Sequence, residues 1–111
     1  MKAFTIKPTA RIVVYSKPVS MVLGFPGLSE LVRREKQKLL DGDLFVFVNE
    51  KRNYLKILFH AKDGLCMFSK QIEGGRFDVL DKKNLTMAEL TQLVDHVIRF
   101  GRKKLRHLKA A

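Results

Sequence analysis

Three short apolar runs, separated by polar turns, occupy the middle of the chain and limit the folds open to it. The runs are Leu44–Val48, Tyr54–Phe59 and Leu65–Phe68. Asn49, Asn53 and Asp63-Gly64 lie between them, and Asn and Asp-Gly accept the positive φ angles that tight strand reversals need. Short apolar runs bounded by such turns are typical of strands. The pattern therefore predicts an antiparallel meander.

The segment before the meander predicts one more strand and a first helix. Residues Ile12–Tyr15 are β-branched or aromatic, and Lys17-Pro18 ends this run because proline interrupts regular strand pairing. Apolar residues then recur at helical spacing between about Pro26 and Lys38. Asp41-Gly42 is expected to end the helix, since glycine tolerates the left-handed conformation that commonly closes helices.

The segment after the meander predicts a second helix. Thr86-Met-Ala-Glu89 has the Thr-x-x-Glu form of a helix capping box. Apolar side chains then keep to one stripe as far as Leu108, which predicts a basic amphipathic helix from about residue 86 to 109.

These elements predict the fold class of the whole chain. At 111 residues, the chain is long enough for one core and too short for two ordinary domains. We therefore expect residues 1–111 to form a single α+β domain, an antiparallel sheet of about four strands with two helices packed on it.

Charge and composition indicate the kind of partner. The chain has 22 Lys and Arg against 11 Asp and Glu, a formal net charge of +11, which favours nucleic acid. A hydrophobic content of 46% is too high for a disordered chain. The single cysteine, Cys66, lies in an apolar run, where a buried thiol in a reducing cytoplasm is expected. No run approaches the roughly 20 apolar residues of a membrane span.

The basic residues fall into two groups. From Arg99 onward the sequence has six Lys and Arg and no acid, and a second group joins the first turn of the meander to its later strands. Such groups neutralise phosphates. Cations at a helix end also offset the helix dipole, but six exceed that need. The predicted nucleic-acid contacts are Lys51, Arg52, Lys56, Arg76, Arg99, Arg102, Lys103 and Arg106.

Catalytic patterns are weak by comparison. His60, His96 and His107 lack the spacing of metal ligands on one element. Clustered carboxylates can hold the metal ions of a nuclease, and Asp41, Asp43, Asp63 and Glu73 are available. Most of them occupy turns or helix ends, where Asp is favoured for backbone hydrogen bonding. We expect no enzymatic activity, no cofactor and no metal.

Several short motifs resemble one known family when they are read in order. They are Gly24-Phe-x-Gly-Leu28, Gly42-x-Leu-Phe-Val-Phe-x-Asn49, Leu55-Lys-Ile-Leu58, Asp63-Gly64, Glu73-x-Gly-Arg-Phe77 and Leu85-Thr-x-x-Glu-Leu90. This order is similar to the TnpB-type accessory proteins of the insertion-sequence-66 class of bacterial mobile elements. That family is distinct from the RNA-guided nuclease of the same label.

The resemblance implies a small protein encoded beside a larger transposase that carries the catalytic acids. The chain would assist transposition without being the catalyst. It departs from the family at Val22-Leu23, where members often have a basic pair, and at Gln71-Ile72, where they often have a basic residue and leucine. Both departures remove positive charge.

Three functions follow as hypotheses. The first is a DNA-binding accessory factor that uses the basic groups to hold phosphates and assists a separate transposase. The second is a protein-interaction module that meets the transposase without touching nucleic acid. The third is a small metal-dependent nuclease built on Asp41, Asp43 or Asp63. Both DNA and RNA carry the phosphates that these cations would bind. The sequence pattern is compatible with a monomer and with an oligomer.

Overall fold

The computed structural model describes residues 10–35, 42–61 and 63–100. In chain order the elements are β1 Ile12–Val14, α1 Phe25–Arg34, β2 Leu44–Val48, β3 Tyr54–Ala61, β4 Gly64–Gln71, β5 Gly75–Phe77, α2 Met87–Asp95 and β6 Val97–Arg99. Four strands form one sheet in the order β1-β2-β3-β4, and β5 pairs with β6 in a small second sheet. The predicted α+β single domain is confirmed.

Strands β2, β3 and β4 form the predicted antiparallel meander. Val46 pairs with Ile57, and Leu58 pairs with Met67. The Asn49 side chain organises the first turn, because its Oδ1 accepts hydrogen bonds from the backbone N–H groups of Asn53, at 3.0 Å, and Tyr54, at 3.1 Å. The meander therefore follows from turn chemistry that is local in sequence.

Strand β1 joins the sheet parallel to β2, so the sheet is mixed and not antiparallel throughout. Val13 pairs with Phe45 in this parallel ladder. The helix α1 lies between the two strands in sequence, and a crossover of this kind returns the chain in its original direction. Only the meander part of the sheet is antiparallel.

The two helices cover opposite faces of the sheet. Side chains alternate along each strand. Phe45, Phe47 and Leu58 pack with Leu28 and Val32 of α1. The other face, which includes Val46 and Ile57, packs with Leu90 and Leu93 of α2 and with Phe77 of the small sheet. Phe45, Phe47 and Phe77 are almost fully buried, so both faces contribute to the core.

The second helix begins as predicted but ends much earlier. Thr86 and Glu89 form the capping box, with the Thr86 side chain accepting from the Glu89 backbone N–H and the Glu89 side chain accepting from that of Thr86. The helix ends at Asp95, and His96 is extended. The prediction of a helix from about 86 to 109 is therefore wrong over residues 96–100, and its remainder lies outside the described residues.

The physical reason is a competing strand pairing. Val97 and Ile98 are β-branched residues that pair with Phe77 and Arg76. The approach of the two strands is close at Gly75, where a Cβ atom would lie 2.6 Å from the carbonyl oxygen of Ile98. A side chain at residue 75 would force the strands apart. Glycine at this position therefore permits the pairing that ends the helix.

The two helices that the structure describes have 10 and 9 residues, and neither has the length or the apolar composition of a membrane span. The predicted first helix is present, and α1 ends at Arg34. Glu35 is its C-cap, and residues 36–38 of the predicted extension lie outside the described residues.

Candidate nucleic-acid interface

Exposed cations lie around an open cleft at the end of the sheet where β1 and β2 terminate. The cleft has a volume of about 620 Å³ and is lined by Val14, Tyr15, Ser16, Arg52, Val79, Leu80, Asp81, Lys82 and Lys83. We call Lys51, Arg52, Arg76, Lys82 and Lys83 the turn-end cluster. All five are exposed.

Lys51 and Arg52 project from the turn between β2 and β3. The Arg52 backbone N–H donates to the Asn49 carbonyl at 3.0 Å. Arg52 has a φ of 59°, in the left-handed region that non-glycine residues rarely adopt. The Asn49 side chain and this conformation fix the path of the turn. Both predicted contact residues are therefore held at the end of the sheet, with their side chains in solvent.

Lys83 reaches the same end because its segment runs beside β1. The backbone N–H of Val14 donates to the Lys83 carbonyl at 2.7 Å, and that of Leu85 donates to the Ile12 carbonyl at 2.9 Å. Asn84 forms an antiparallel bridge with Val13. These contacts cover the outer edge of β1 and bring Lys83 next to the end of that strand.

Lys82 is connected to α2 by an ion pair. Its Nζ lies 2.6 Å from Oε2 of Glu89, the same residue that closes the capping box. The pKa of the Glu89 carboxyl is lowered, first by this hydrogen bond from Lys82 and then by the hydrogen bond from the Thr86 backbone N–H. The start of α2 therefore stays next to the turn-end cluster.

Arg76 is joined to the cluster through the backbone. The N–H of Phe77 donates to the Arg52 carbonyl at 2.6 Å, so the strand β5 ends beside the first turn. Arg76 is exposed and pairs with Ile98, while its neighbours Gly75 and Phe77 are buried. The structure thus brings together three of the predicted contact residues, Lys51, Arg52 and Arg76.

Lys56 does not belong to this surface, and its prediction as an exposed phosphate contact is wrong. It lies in β3 on the face covered by α1 and is 8% exposed. Its Nζ donates to the backbone carbonyls of Met21, at 2.7 Å, and Leu23, at 2.9 Å. A buried ammonium is stable when its protons are hydrogen-bonded in this way. Lys56 therefore fixes the segment that leads into α1.

The remaining predicted contacts lie elsewhere. Arg99 is exposed, and its guanidinium donates to the Glu73 carbonyl at 3.1 Å. Arg99 pairs with Gly75 and Arg76 with Ile98, so strand alternation directs the two arginines to opposite faces of the small sheet. Arg102, Lys103 and Arg106 lie outside the described residues.

The turn-end cluster is positive but not uniformly so. Asp81 lines the cleft together with three cations, and Glu50 is exposed beside Lys51. Lys51, Arg52, Arg76 and Lys83 form no ion pair or side-chain hydrogen bond with any other residue in the described ranges. Their charges are consequently available to an anionic partner.

Those carboxylates of the nuclease hypothesis that the structure describes do not assemble into a metal site. Asp43 is 5% exposed and accepts hydrogen bonds from the backbone N–H and the guanidinium of Arg11, at 2.9 to 3.0 Å. This carboxylate joins the start of β1 to the start of β2. Within residues 10–35, 42–61 and 63–100, no group of three His, Cys, Asp or Glu could hold a metal ion. Asp41 lies outside these ranges.

Two cations of the cluster, Lys82 and Lys83, are absent from the predicted contacts. Their sequence signal is a lysine pair within a polar connection, which is equally typical of a solvated loop. Their importance depends on the bridge between Asn84 and Val13, which joins residues far apart in sequence. Charge counting alone cannot reveal that proximity.

Comparison with known proteins agrees with the motifs found in the sequence. Over 68 residues the chain is 35% identical to the uncharacterized protein y4hO of Sinorhizobium fredii, a match that covers 60% of this chain. The matched part is 59% of that protein, so the chain spans about three fifths of the length of this curated relative. No solved structure matches the chain.

Residues 10–103 match the family described as IS66 Orf2 like protein, TnpB_IS66, which is most of the chain and includes every described element. The family resemblance inferred from the ordered motifs is confirmed. Family membership implies an accessory role associated with transposition. The chain belongs to the IS66 Orf2-like family.

Proposed function

We propose that the chain is a non-catalytic accessory factor in transposition that binds DNA through the turn-end cluster and assists a separate transposase. The observation that carries this proposal is the convergence of exposed cations from three separate segments on one end of the sheet. They come from the β2–β3 turn, from β5 and from the segment beside β1.

The proposed contact is to the phosphate backbone. Arginine can bind a phosphate through two parallel N–H groups, while lysine acts as a point charge. Arg52, Lys82 and Lys83 line one cleft together with Asp81, and Glu50 is exposed beside Lys51, so acids interrupt the positive surface. We therefore expect a few discrete phosphate contacts on DNA and not a continuous basic stripe. Contacts of this kind position a protein and carry little sequence information.

The assisting role rests on family membership together with this binding mode. A protein that holds phosphates without a catalytic site can keep a DNA end in place while another protein performs strand transfer. In the described ranges, the buried acid Asp43 is engaged with Arg11 and is not placed for chemistry. The catalytic acids would then belong to the transposase.

The test is fluorescence anisotropy of a labelled DNA duplex with the full chain across a salt series. The variant Lys51→Gln/Arg52→Asn removes two charges from the turn-end cluster, and Asn tolerates the left-handed backbone of residue 52. We expect about a tenfold loss of affinity and a salt slope smaller by about 2, because each phosphate contact contributes about 0.9 to the slope.

The matched control is Arg33→Gln/Arg34→Gln, which removes the same charge from α1. Both arginines are more than 70% exposed and pair with Glu30. If this control weakens DNA binding as much as the cluster variant does, the binding reflects net charge alone. Absence of duplex binding by the unmodified chain at low salt would remove the proposal's main support.

The second candidate is a protein-interaction module without direct contact to nucleic acid. An apolar groove on the α2 face favours it, because Met87 is 45% exposed there beside Phe68 and Val94. This candidate predicts that the chain co-purifies with its transposase after nuclease treatment. It also predicts that the Lys51→Gln/Arg52→Asn variant co-purifies equally well, whereas the DNA-binding proposal predicts loss of a nuclease-sensitive association.

A further inference from the structure

The outer edge of β4 is open in the described part of the chain. Gly64–Gln71 pairs with β3 on one side, and the backbone of β4 forms no hydrogen bond with the backbone of any other described residue. The Lys70 side chain donates to the Val94 carbonyl at 2.8 Å. Ala61 pairs with Gly64 across the two-residue turn, so this pair is hydrogen-bonded. Hydrogen-bonded and non-hydrogen-bonded pairs alternate along antiparallel strands, so the backbone N–H and C=O groups of every second residue of β4 point away from β3. These residues include Leu65, Met67 and Ser69.

This edge lacks the features that usually prevent strand pairing. Exposed edges are commonly blocked by proline, by a bulge or by several charges. The eight residues of β4 contain no proline, pair with β3 without interruption, and include a single charged residue, Lys70. Leu65, Cys66, Met67 and Phe68 are only half-buried, in contrast to the fully buried β2. The edge is long, regular and apolar.

We propose that β4 pairs antiparallel with β4 of a second copy of this chain, so that the two sheets form one continuous sheet of eight strands. A two-fold axis through Met67 places Met67 opposite its own copy and Leu65 opposite Ser69. Both pairs use the outward N–H and C=O groups. On the other face, Cys66 comes opposite Phe68, so apolar residues meet apolar residues at the centre.

The local charge pattern of β4 fits a second copy better than an acidic partner, although the net charge of +11 on each chain opposes the pairing. A protein of opposite charge would be selected by cations along the edge, and β4 has one. In the two-fold arrangement the two Lys70 residues stand six strand positions apart, about 20 Å at the rise of a strand. Each lies opposite Gly64 of the other copy, next to Asp63. Salt screens charges beyond about 8 Å, so the net charge of each chain opposes this pairing weakly.

The arrangement would give one assembly two turn-end clusters. The β2–β3 turn lies at the Gln71 end of β4, because Tyr54 pairs with Gln71. Antiparallel pairing of two β4 strands therefore places the two clusters at opposite ends of the interface. Two linked binding surfaces raise the apparent affinity for a DNA that reaches both. The pairing itself depends on the edge and not on DNA binding.

The test is the mass of the full chain in solution, measured by light scattering over a range of concentrations after nuclease treatment. We expect the mass of two chains at concentrations on the order of 10 μM and above, as for a moderately tight dimer. The variant Ser69→Pro removes one outward N–H, and proline is tolerated on an edge strand where that group faces solvent. We expect it to have the mass of one chain.

Two further variants make the result specific. Ser69→Thr keeps the N–H group and should remain a dimer, while Ser69→Lys places a charge at the interface and should be a monomer. Circular dichroism checks that each variant is folded. If the unmodified chain is a monomer throughout, or if Ser69→Pro and Ser69→Lys both fold and still dimerise, the proposal is overturned. A monomer whose β4 amides become protected from hydrogen exchange only with the transposase would assign the edge to that protein instead.

Discussion

The two edges of the central sheet are covered in different ways, and the contrast separates two kinds of binding surface. The edge of β1 is closed, because residues Lys83 and Leu85 exchange backbone hydrogen bonds with Val14 and Ile12. The edge of β4 has no such cover among the described residues. A closed edge can act only through its side chains, whereas an open edge can act through its backbone.

The side chains at the two edges agree with this division. Cations stand beside the closed edge, where Lys82 and Lys83 line the cleft with Arg52. The open edge carries half-buried apolar residues and one lysine. Charged side chains suit a phosphate partner, and unpaired N–H and C=O groups suit a second strand. The molecule therefore offers nucleic acid and protein different parts of the same sheet.

The largest expected effect is a difference in unfolding free energy between a variant at the closed edge and a variant at the open edge. Leu85 is buried and anchors the segment that covers β1. We expect Leu85→Ala to lower the free energy of unfolding by about 3 kcal/mol, since it leaves a cavity and loosens that cover. Leu65→Ala at the open edge should cost about 1 kcal/mol, because Leu65 is only half-buried.

Urea denaturation at equal, low chain concentration measures both variants, so that pairing between copies does not contribute. Equal losses for the two leucines would mean that the segment around Leu85 contributes no more to stability than an edge residue does. The contrast between a closed and an open edge would then have no energetic basis.

A second pair of variants separates cations that hold the fold from cations that face the solvent. Lys56→Met removes the two hydrogen bonds to the Met21 and Leu23 carbonyls, and we expect a loss of about 2 kcal/mol in unfolding free energy. The salt slope of DNA binding should stay unchanged. Lys83→Gln at the closed edge should lower the salt slope of DNA binding by about 0.9 and leave the free energy of unfolding nearly unchanged.

For each of the two variants, anisotropy measures the salt slope of DNA binding and urea denaturation measures the free energy of unfolding. A fall in salt slope for Lys56→Met would contradict its burial on the α1 face. An unchanged slope for Lys83→Gln would remove the closed edge from the DNA-binding surface.

The smallest expected effect is a dependence of the closed edge on pH. The pKa of Glu89 is lowered from 4.5 by the hydrogen bond from Lys82 and by that from Thr86. A group with a lowered folded pKa contributes stability above its unfolded pKa and loses it as pH falls through the folded value. In the unmodified chain, we therefore expect the start of α2 to lose a little stability as the pH falls below 4.5.

An NMR titration of the Glu89 carboxyl measures this directly. Lys82→Ala should move its pKa back toward the ordinary value, and the amides of β4 should not respond in the same pH range. A Glu89 pKa that is the same in the variant and the unmodified chain would show that the ion pair with Lys82 is absent in solution.

The sequence predicts the meander well because its information is local. The Asn49 side chain fixes the first reversal through its hydrogen bonds to the Asn53 and Tyr54 backbone, and the apolar runs indicate the strands on either side. The positive φ angle of that turn lies at Arg52 and not at an Asn, and neither Asp63 nor Gly64 has one. The direction of β1 is not local, since no residue of Ile12–Val14 specifies whether it runs parallel or antiparallel to β2. The end of α2 is ambiguous for a related reason. Val97 and Ile98 fit a helical stripe, but they pair with β5 as a strand, a pairing that Gly75 permits.

The candidate site likewise combines local features, which the sequence predicts, with contacts between distant residues, which it does not predict. Lys51 and Arg52 are predictable because a turn exposes its side chains whatever the rest of the fold does. Strand alternation gives the face of Lys56 but not the presence of the Met21 and Leu23 carbonyls above that face. Lys83 becomes part of the site through a bridge to β1, which the sequence pattern does not reveal.

The bridge between Val13 and Asn84 also has a consequence for the order of folding. The meander closes short loops, whereas β1 needs the α1 crossover on one side and Asn84, far along the chain, on the other. Chain entropy makes such distant contacts slow to form. We expect the meander to form first and β1 to be completed last, so that substitutions at Leu85 accelerate unfolding while leaving the folding rate nearly constant.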